Sequence, residues 1–267
     1  MLKDFSTLAL QYKNELLENV IPFWEKNSVD MVNGGFFTCL DRTGKVFDTD
    51  KFIWLQGRQV WMFSSLYNNV EKNDNWLQMA RHGAEFLEKF GHDTDGNWYF
   101  SLNREGKPLI VPYNIFSDCF ATMAFGQLAK ATGNDHYSKI AVSTFKNILS
   151  RENNPKGKYN KAFSGTRPLK SFSLPMILCN LSLEIEHLLD KSFVDETIER
   201  CIHEVIEVFY DRQSGLIREN VNADGTFSDS FEGRLLNPGH GIEAMWFIMD
   251  LDRKSTRLNS SHVRQYR

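Results

Sequence analysis

Residues 37–45 read FTCLDRTGK, and residues 99–107 repeat the pattern as YFSLNREGK, 62 positions later. Residues 216–225, which read LIRENVNADG, carry a third copy. Alternating side chains that end in Asp or Asn and then Gly are typical of a small β-hairpin. The recurrence therefore predicts one hairpin-like loop in each structural repeat, with a period of about 60 residues.

Helical periodicity fills the segments between these loops. We expect helices at residues 5–24, 53–70, 75–90, 114–132, 136–150, 172–189, 194–210 and 239–250. No long strand is expected between them. Two helices and one loop in each period predict an all-α protein, built either as an open solenoid or as a closed toroid of paired helices.

The C-terminal end of the sequence differs in charge from the rest. Residues 253–267 contain five Lys or Arg residues and no Asp or Glu. They follow a helical pattern directly, with no Gly or Pro before them to end the helix. We interpret residues 1–252 as a partial domain and residues 253–267 as a non-native or disordered tail. The alternative is a natural basic tail for an acidic partner.

The composition is that of a globular protein, with 42% hydrophobic and 24% charged residues among 267. It excludes intrinsic disorder, and no apolar run approaches the roughly 20 residues that span a membrane. The net charge of −3 comes with no basic patch in the body of the chain, which argues against a nucleic-acid partner. Scattered cysteines and an N-terminus unlike a signal peptide favour a cytoplasmic protein.

The segment NPGHGIEAMW, residues 237–246, is the richest in reactive side chains. Pro and Gly end a loop, and His240 opens the helix that follows. Histidine exchanges protons readily near neutral pH, so His240 is a candidate general base. Glu243 lies three residues on, on the same helix face, where it can orient the imidazole. The alternative is a capping histidine with a salt-bridged glutamate.

Arg58 is a charge within an aromatic helical segment, WLQGRQVWMF at residues 54–63. An unpaired guanidinium in such a place is costly. It therefore either pairs with a structural carboxylate or faces an anionic or polarised oxygen in a cavity. Because the sequence has no phosphate-binding glycine loop, zinc-ligand cluster or nucleophile elbow, we expect acid–base chemistry by side chains, without a metal or cofactor.

Four segments in this order resemble the N-acylglucosamine 2-epimerase family, also called the renin-binding proteins. They are residues 54–60, 115–120, 174–178 and 233–240. The resemblance extends over about residues 5–250. It implies the family's fold, an (α/α)6 toroid of helical hairpins with short β-hairpin loops. About four of the six hairpins are expected in this chain.

The resemblance also implies a reaction, the interconversion of N-acetylglucosamine and N-acetylmannosamine by inversion at C2. One histidine removes the C2 proton of the open-chain sugar, an enediolate forms, and a second histidine returns a proton to the opposite face. His240 corresponds to the first histidine and Glu243 to the acidic residue that supports it. Arg58 corresponds to the arginine that holds the oxygen where charge develops. Substrate contacts are expected from Trp54, Gln56, Asp118, Met176 and Asn237.

The resemblance implies no cofactor for the proton transfer, although nucleotides such as ATP stimulate some family members and are candidate allosteric activators. The expected partner is a small amino sugar, and the assembly expected of the full-length protein is a homodimer. The second catalytic histidine lies in the last third of family chains, and His262 belongs to the tail and does not replace it. We therefore expect this chain to be an inactive fragment.

Alternative functions remain open from the sequence. The same scaffold carries aldose–ketose isomerases and cellobiose 2-epimerases. Cellobiose 2-epimerases have an additional histidine in the sixth helix, and its absence from residues 172–177 favours an N-acyl sugar. A glycoside hydrolase on this toroid needs two opposed carboxylates, for which Asp118 and Glu243 are candidates. A non-catalytic binding protein is the remaining alternative.

Overall fold

The computed structural model describes residues 4–161, 163 and 165–258, and every statement below concerns these residues. Its α-helices are α1 (Phe5–Asn14), α2 (Ile21–Asn27), α3 (Ile53–Asn69), α4 (Asp74–Phe90), α5 (Phe116–Thr132), α6 (Asp135–Ser150), α7 (Ser173–Glu184), α8 (Lys191–His203) and α9 (Pro238–Leu258). A π-helical segment, Glu15–Val20, joins α1 to α2, and these three segments make up the first expected helix. A second π-helical segment, Glu204–Phe209, extends α8. All eight expected helices are therefore confirmed.

The strands have only two or three residues each. They are β1 (Cys39–Leu40), β2 (Val46–Asp48), β3 (Lys51–Phe52), β4 (Ser101–Leu102), β5 (Pro108–Ile110), β6 (Leu169–Ser171), β7 (Tyr210–Asp211), β8 (Leu216–Ile217) and β9 (Asn220–Asn222). The antiparallel pairs β1–β2 and β4–β5 confirm the first two expected hairpins. In the third copy β8 pairs with β7, and β9 pairs with β6.

The three sequence copies share one turn. In each copy a glycine with a positive φ near +87° donates its N–H to the carbonyl of the Asp or Asn three residues earlier. The glycines are Gly44, Gly106 and Gly225. Glycine is required there because a Cβ disfavours this left-handed conformation. The repeat seen in the sequence is therefore a repeat of one backbone turn.

Residues 1–159 form a compact unit. Within it α3 packs against α4 and α5, and α5 packs against α6. The core between these helices is apolar and includes the fully buried side chains of Phe63, Phe125, Leu128 and Phe145. The packing follows from the helical periodicity, which places these side chains on the inner faces.

Lys51 is a fully buried cation in this unit. Its Nζ lies 3.1 Å from the Asp30 carboxylate and donates to the carbonyl oxygens of Gly34 and Arg104. The Arg104 guanidinium donates twice to the same carboxylate. Although burial raises the pKa of Asp30, these hydrogen bonds hold it well below its usual range. The cluster ties β3 and the second hairpin to the loop after α2.

Residues 160–267 form a second compact unit. Among its described residues α7 packs against α8 and α9. Its core includes the rings of Phe172 and Phe209, which meet edge to face at a centroid distance of 5.4 Å, and the buried side chain of Phe247 in α9. The β6–β9 pair lies in the same unit and holds the chain that leads to α9.

The last helix runs beyond the expected boundary of the domain. It was expected over residues 239–250, and α9 extends to Leu258, the last residue that the structure describes. Residues 259–267 lie outside the described residues, so the interpretation of residues 253–267 as a non-native or disordered tail stays a prediction. None of the described helices combines the length and the apolar character needed to cross a membrane.

Candidate active site

His240 stands in the first turn of α9. The helix begins at Pro238, whose fixed φ suits this position. The N–H of Gly241 donates to the carbonyl of Asn237 at 3.2 Å and closes the turn. About one third of the His240 side chain is exposed, at 35%, and Asn237 is exposed directly before the helix. Both residues are therefore accessible to a small molecule.

Nδ1 of His240 lies 3.0 Å from both carboxylate oxygens of Glu219, whose side chain is only 10% exposed. An ionised carboxylate accepts hydrogen bonds and cannot donate them, so the ring nitrogen that faces it carries the hydrogen. Nε2 then has the free lone pair of the neutral imidazole. A histidine held in this way is equipped to accept a proton at Nε2.

The sequence predicts Glu243 as the acidic residue that supports His240, whereas the carboxylate that contacts His240 in the structure is Glu219, so the role of Glu243 stays a prediction. Glu219 lies in the connection between β8 and β9, 21 residues before His240. Side chains of an α-helix lean toward its N-terminus, so a first-turn imidazole reaches off the helix end toward the loops. Glu243 lies about one turn further along α9, toward its C-terminus. No hydrogen bond or ion pair joins it to His240 in the described part of the chain.

Met176 lies in α7, is 5% exposed, and belongs to the apolar core of the second unit. It can offer a ligand only an apolar contact. Asn237, by contrast, has an exposed side chain. The roles of both residues as substrate contacts stay predictions.

Arg58, in α3, carries an exposed guanidinium that rests on two aromatic rings. Its Cζ lies 4.7 Å from the ring centroid of Phe120 and 5.4 Å from that of Trp54. No carboxylate of the described residues forms an ion pair with it. The first of the two interpretations of Arg58, a pair with a structural carboxylate, is therefore not observed among the described residues. Its N–H groups are available to an oxygen outside the protein.

Gln56 was expected to contact substrate, and the structure gives it another role. The side chain is fully buried. Its Oε1 accepts from the backbone N–H of Phe36 at 2.8 Å, and its Nε2 donates to the carbonyl of Phe36 at 2.7 Å. Both ends of the amide are engaged, so Gln56 fastens the loop before β1 to α3 and has no polar atom open to a ligand.

Asp118 was also expected to contact substrate, and its carboxyl group is fully buried. One oxygen pairs with the Arg151 guanidinium. The other makes no hydrogen bond within the described residues. Burial raises the pKa of Asp118 to about 7, and the Arg151 charge opposes the rise only in part. A carboxyl group in this position supports α5 and α6 from inside and is closed to a sugar.

From the sequence motifs we predict that Arg58, Asp118, Met176 and His240 line one open cavity. The first two belong to the unit of residues 1–159 and the last two to the unit of residues 160–267. Their common cavity therefore stays a prediction. No cluster of three or more His, Cys, Asp or Glu side chains with the geometry for a metal ion occurs among the described residues.

Comparison with known proteins gives the same family as the sequence motifs. Residues 35–264 match the family model for N-acylglucosamine 2-epimerase (GlcNAc 2-epimerase). The N-acylglucosamine 2-epimerase of Rattus norvegicus is 38% identical over 261 residues, which cover 93% of this chain and 61% of that protein. A cellobiose 2-epimerase of Bacteroides fragilis is 23% identical over 265 residues, which cover 92% and 66%.

A solved structure shows the fold. The cellobiose 2-epimerase from Bacillus thermoamylovorans B4167 matches with a TM-score of 0.79 at 22% identity, over 92% of this chain and 66% of that one. The fold is the expected α/α toroid type. The chain spans about 61% of the length of the rat relative. With a family model that covers most of its residues, the chain belongs to the N-acylglucosamine 2-epimerase family.

Proposed function

We propose that the protein is a sugar 2-epimerase that interconverts N-acetylglucosamine and N-acetylmannosamine. The observation that carries the proposal is the His240 imidazole, held at Nδ1 by Glu219 with Nε2 left to act as a base. Family membership supports the reaction class. Because the chain spans about 61% of the rat relative, the proposal concerns the activity of the whole protein.

The first half of the reaction uses groups that this chain contains. In the open-chain sugar the aldehyde at C1 acidifies the hydrogen on C2. Nε2 of His240 takes this proton, and the electron pair of the broken C–H bond forms a C1–C2 double bond, which leaves negative charge on the C1 oxygen. Arg58 is proposed to donate hydrogen bonds to that oxygen, where a fixed cation stabilises the enediolate.

The second half returns a proton to C2 from the opposite face. The family resemblance assigns this step to a second histidine in the last third of the family chain. Loss and return of the proton on one face give back the starting sugar, whereas return on the other face gives the epimer. Exchange of the C2 hydrogen with solvent therefore needs one base, and epimerisation needs two.

Two observations favour an N-acyl sugar over cellobiose. The identity to the rat N-acylglucosamine 2-epimerase is 38%, against 23% for the cellobiose 2-epimerase of Bacteroides fragilis. Residues 172–177 also lack the additional histidine that the cellobiose enzymes carry. The proposal includes a homodimer, no nucleic-acid partner and a cytoplasmic location. The four cysteines, all free thiols in the structure, support the location.

Deuterium exchange tests the proposal directly. The 267-residue chain is incubated in D₂O with N-acetylglucosamine, N-acetylmannosamine or cellobiose, and proton NMR follows C2 exchange and epimer formation separately. We expect exchange of one N-acyl epimer, with little of the other epimer formed. His240→Asn, which cannot accept the proton, lowers the exchange rate by about 10²- to 10⁴-fold.

The matched control is His203→Asn, at an exposed position of α8, which leaves exchange unchanged. Exchange that persists in His240→Asn removes this residue from the mechanism. Exchange with cellobiose alone favours the cellobiose 2-epimerase alternative. Absence of exchange with all three sugars in the unchanged chain contradicts the first half of the proposed reaction, in which His240 of this chain removes the C2 proton.

A further inference from the structure

Glu219 is anchored through its backbone on both sides. The N–H of the preceding residue, Arg218, donates to the carbonyl of Phe209 at 2.9 Å, and the carbonyl of Glu219 accepts from the N–H of Phe172 at 2.9 Å. The following residue, Asn220, pairs with Ser171 in the β6–β9 ladder. The carboxylate therefore projects from a backbone that is already fixed, which is the condition for holding another side chain in one orientation.

The neighbouring cation does not neutralise Glu219. Arg218 directs its Nη2 to the carboxylate of Asp211 at 2.8 Å, and its Cζ lies 4.7 Å from the ring centroid of Phe227. Among the described residues, the ionisable side chain that contacts the Glu219 carboxylate is His240. The negative charge of Glu219 is thus directed at the imidazole and is shielded from water, with 10% of the side chain exposed.

We propose that Glu219 is the positioning residue of the catalytic base, an inference that rests on the proposed function. It holds His240 in the tautomer with hydrogen on Nδ1 and the lone pair on Nε2. It also stabilises the imidazolium that forms when Nε2 takes the C2 proton, because the charge appears on a ring already hydrogen-bonded to a carboxylate. Glu243, which the family resemblance suggested for this task, has no such contact.

The same anchoring connects the base to the helix that carries Met176. Phe172, whose N–H binds the Glu219 carbonyl, directly precedes α7. Met176 lies one turn later and donates its N–H to the carbonyl of Phe172 at 3.2 Å. The backbone hydrogen bonds of Phe172 thus connect Met176 to Glu219, which holds His240. A sugar that contacts Met176 would therefore lie at a fixed position relative to His240.

The test reads the tautomer directly. The 267-residue chain is labelled with ¹⁵N-histidine, and the ring nitrogen shifts of His240, assigned by comparison with His240→Asn, report which nitrogen carries the hydrogen. In the unchanged chain we expect hydrogen on Nδ1. Glu219→Leu removes the acceptor while filling a similar volume, so the hydrogen moves to Nε2 and C2 exchange falls by about 10²-fold or more.

Two further variants separate positioning from structure. Glu219→Gln keeps an acceptor oxygen without the charge, so it restores part of the Nδ1–H form and part of the exchange rate. It also keeps the test open where Glu219→Leu fails to fold. Glu243→Gln is the matched control and leaves the tautomer of His240 unchanged.

The outcomes distinguish this inference from the proposed function. An unchanged tautomer and rate in both Glu219 variants overturn the role of Glu219, while His240-dependent exchange still stands. If Glu219→Leu loses the Nδ1–H form of His240 but the unchanged chain never exchanges the C2 hydrogen, the role of Glu219 in positioning the ring is supported. The same result contradicts the proposed epimerase activity. Loss of the Nδ1–H form in Glu243→Gln but not in the Glu219 variants overturns the assignment in favour of Glu243.

Discussion

The guanidinium of Arg58 in α3 rests on the ring of Phe120 in α5, with Cζ 4.7 Å from the ring centroid. The ring of Trp54 lies on the same cation, and the two rings are 5.9 Å apart. Stacking on aromatic faces fixes the plane of a guanidinium while leaving its N–H groups free to bind an oxygen. Arg58 is therefore held in one orientation without the carboxylate that would neutralise it.

We predict that Arg58→Lys lowers the rate of C2 exchange by about 10²-fold. Lysine keeps the charge but loses the planar fork of donors and the stacking on both rings. The rate at saturating N-acetyl sugar is expected to fall more than the KM rises, because the charge on the sugar oxygen develops after binding. Arg42→Lys, at an exposed turn position, is the control. Equal rates for the two variants would show that Arg58 does not contact the reacting oxygen.

Gly57→Ala tests the close approach of the two helices beside Arg58. A Cβ at residue 57 would lie 2.9 Å from the backbone carbon and oxygen of Phe120, and backbone atoms cannot turn aside. We expect the free energy of unfolding to fall by about 1–3 kcal/mol, despite the better helix propensity of alanine. Gly241→Ala, whose Cβ would meet only ordinary contacts at 3.8 Å, should not destabilise the chain. Urea titrations compare the two variants, and equal stability would mean that α3 and α5 have room to separate.

The elements that sequence patterns predicted are those decided by nearby residues. A helix needs one apolar face and a glycine turn needs one permissive residue, and both signals lie within a few positions of each other. The first two hairpins, β1–β2 and β4–β5, were predicted for the same reason. Strand pairs that depend on the packing of distant segments were not predicted. β9 pairs with β6, about 50 residues earlier, because the chain between them folds into α7, α8 and the β7–β8 hairpin.

The candidate site shows the same division. The position of His240 at a helix start follows from Pro238 and Gly239 directly before it, which is a local signal. Its partner, Glu219, lies in a segment interpreted as a hairpin, where an acidic residue is ordinarily exposed to water. The one available signal was a Glu between the strand-like pairs of residues 216–222. The burial of Gln56 and Asp118 was not predicted, because a polar residue in a motif shows its type but not its burial.

The pH dependence of stability tests separately whether burial raises the pKa of Asp118. Burial raises its pKa in the folded protein to about 7, above its ordinary value of 3.8. The folded state therefore binds more protons than the unfolded state between these two values, so this group's contribution to stability is full below about pH 4 and is lost as the pH rises through about 7. About three pKa units at about 1.4 kcal/mol each set an upper scale of about 4 kcal/mol.

We predict that Asp118→Asn removes this dependence. Asparagine keeps an oxygen that can accept from Arg151 and never takes a negative charge, so the buried site no longer titrates. Free energies of unfolding are measured in urea at several values between about pH 4 and 8, and the unchanged chain is compared with the variant at each pH. Subtracting the two free energies of unfolding at each pH cancels the contributions of the other carboxylates. Among these are Asp30 and Asp211, whose lowered pKa values make stability rise with pH over a lower pH range. The difference should move steadily in favour of the variant as the pH rises, whereas the exposed control Asp95→Asn should give a flat difference. A flat difference like that of the control would contradict the prediction, because it would mean that the Arg151 charge offsets burial and keeps Asp118 ionised in the folded protein throughout this range.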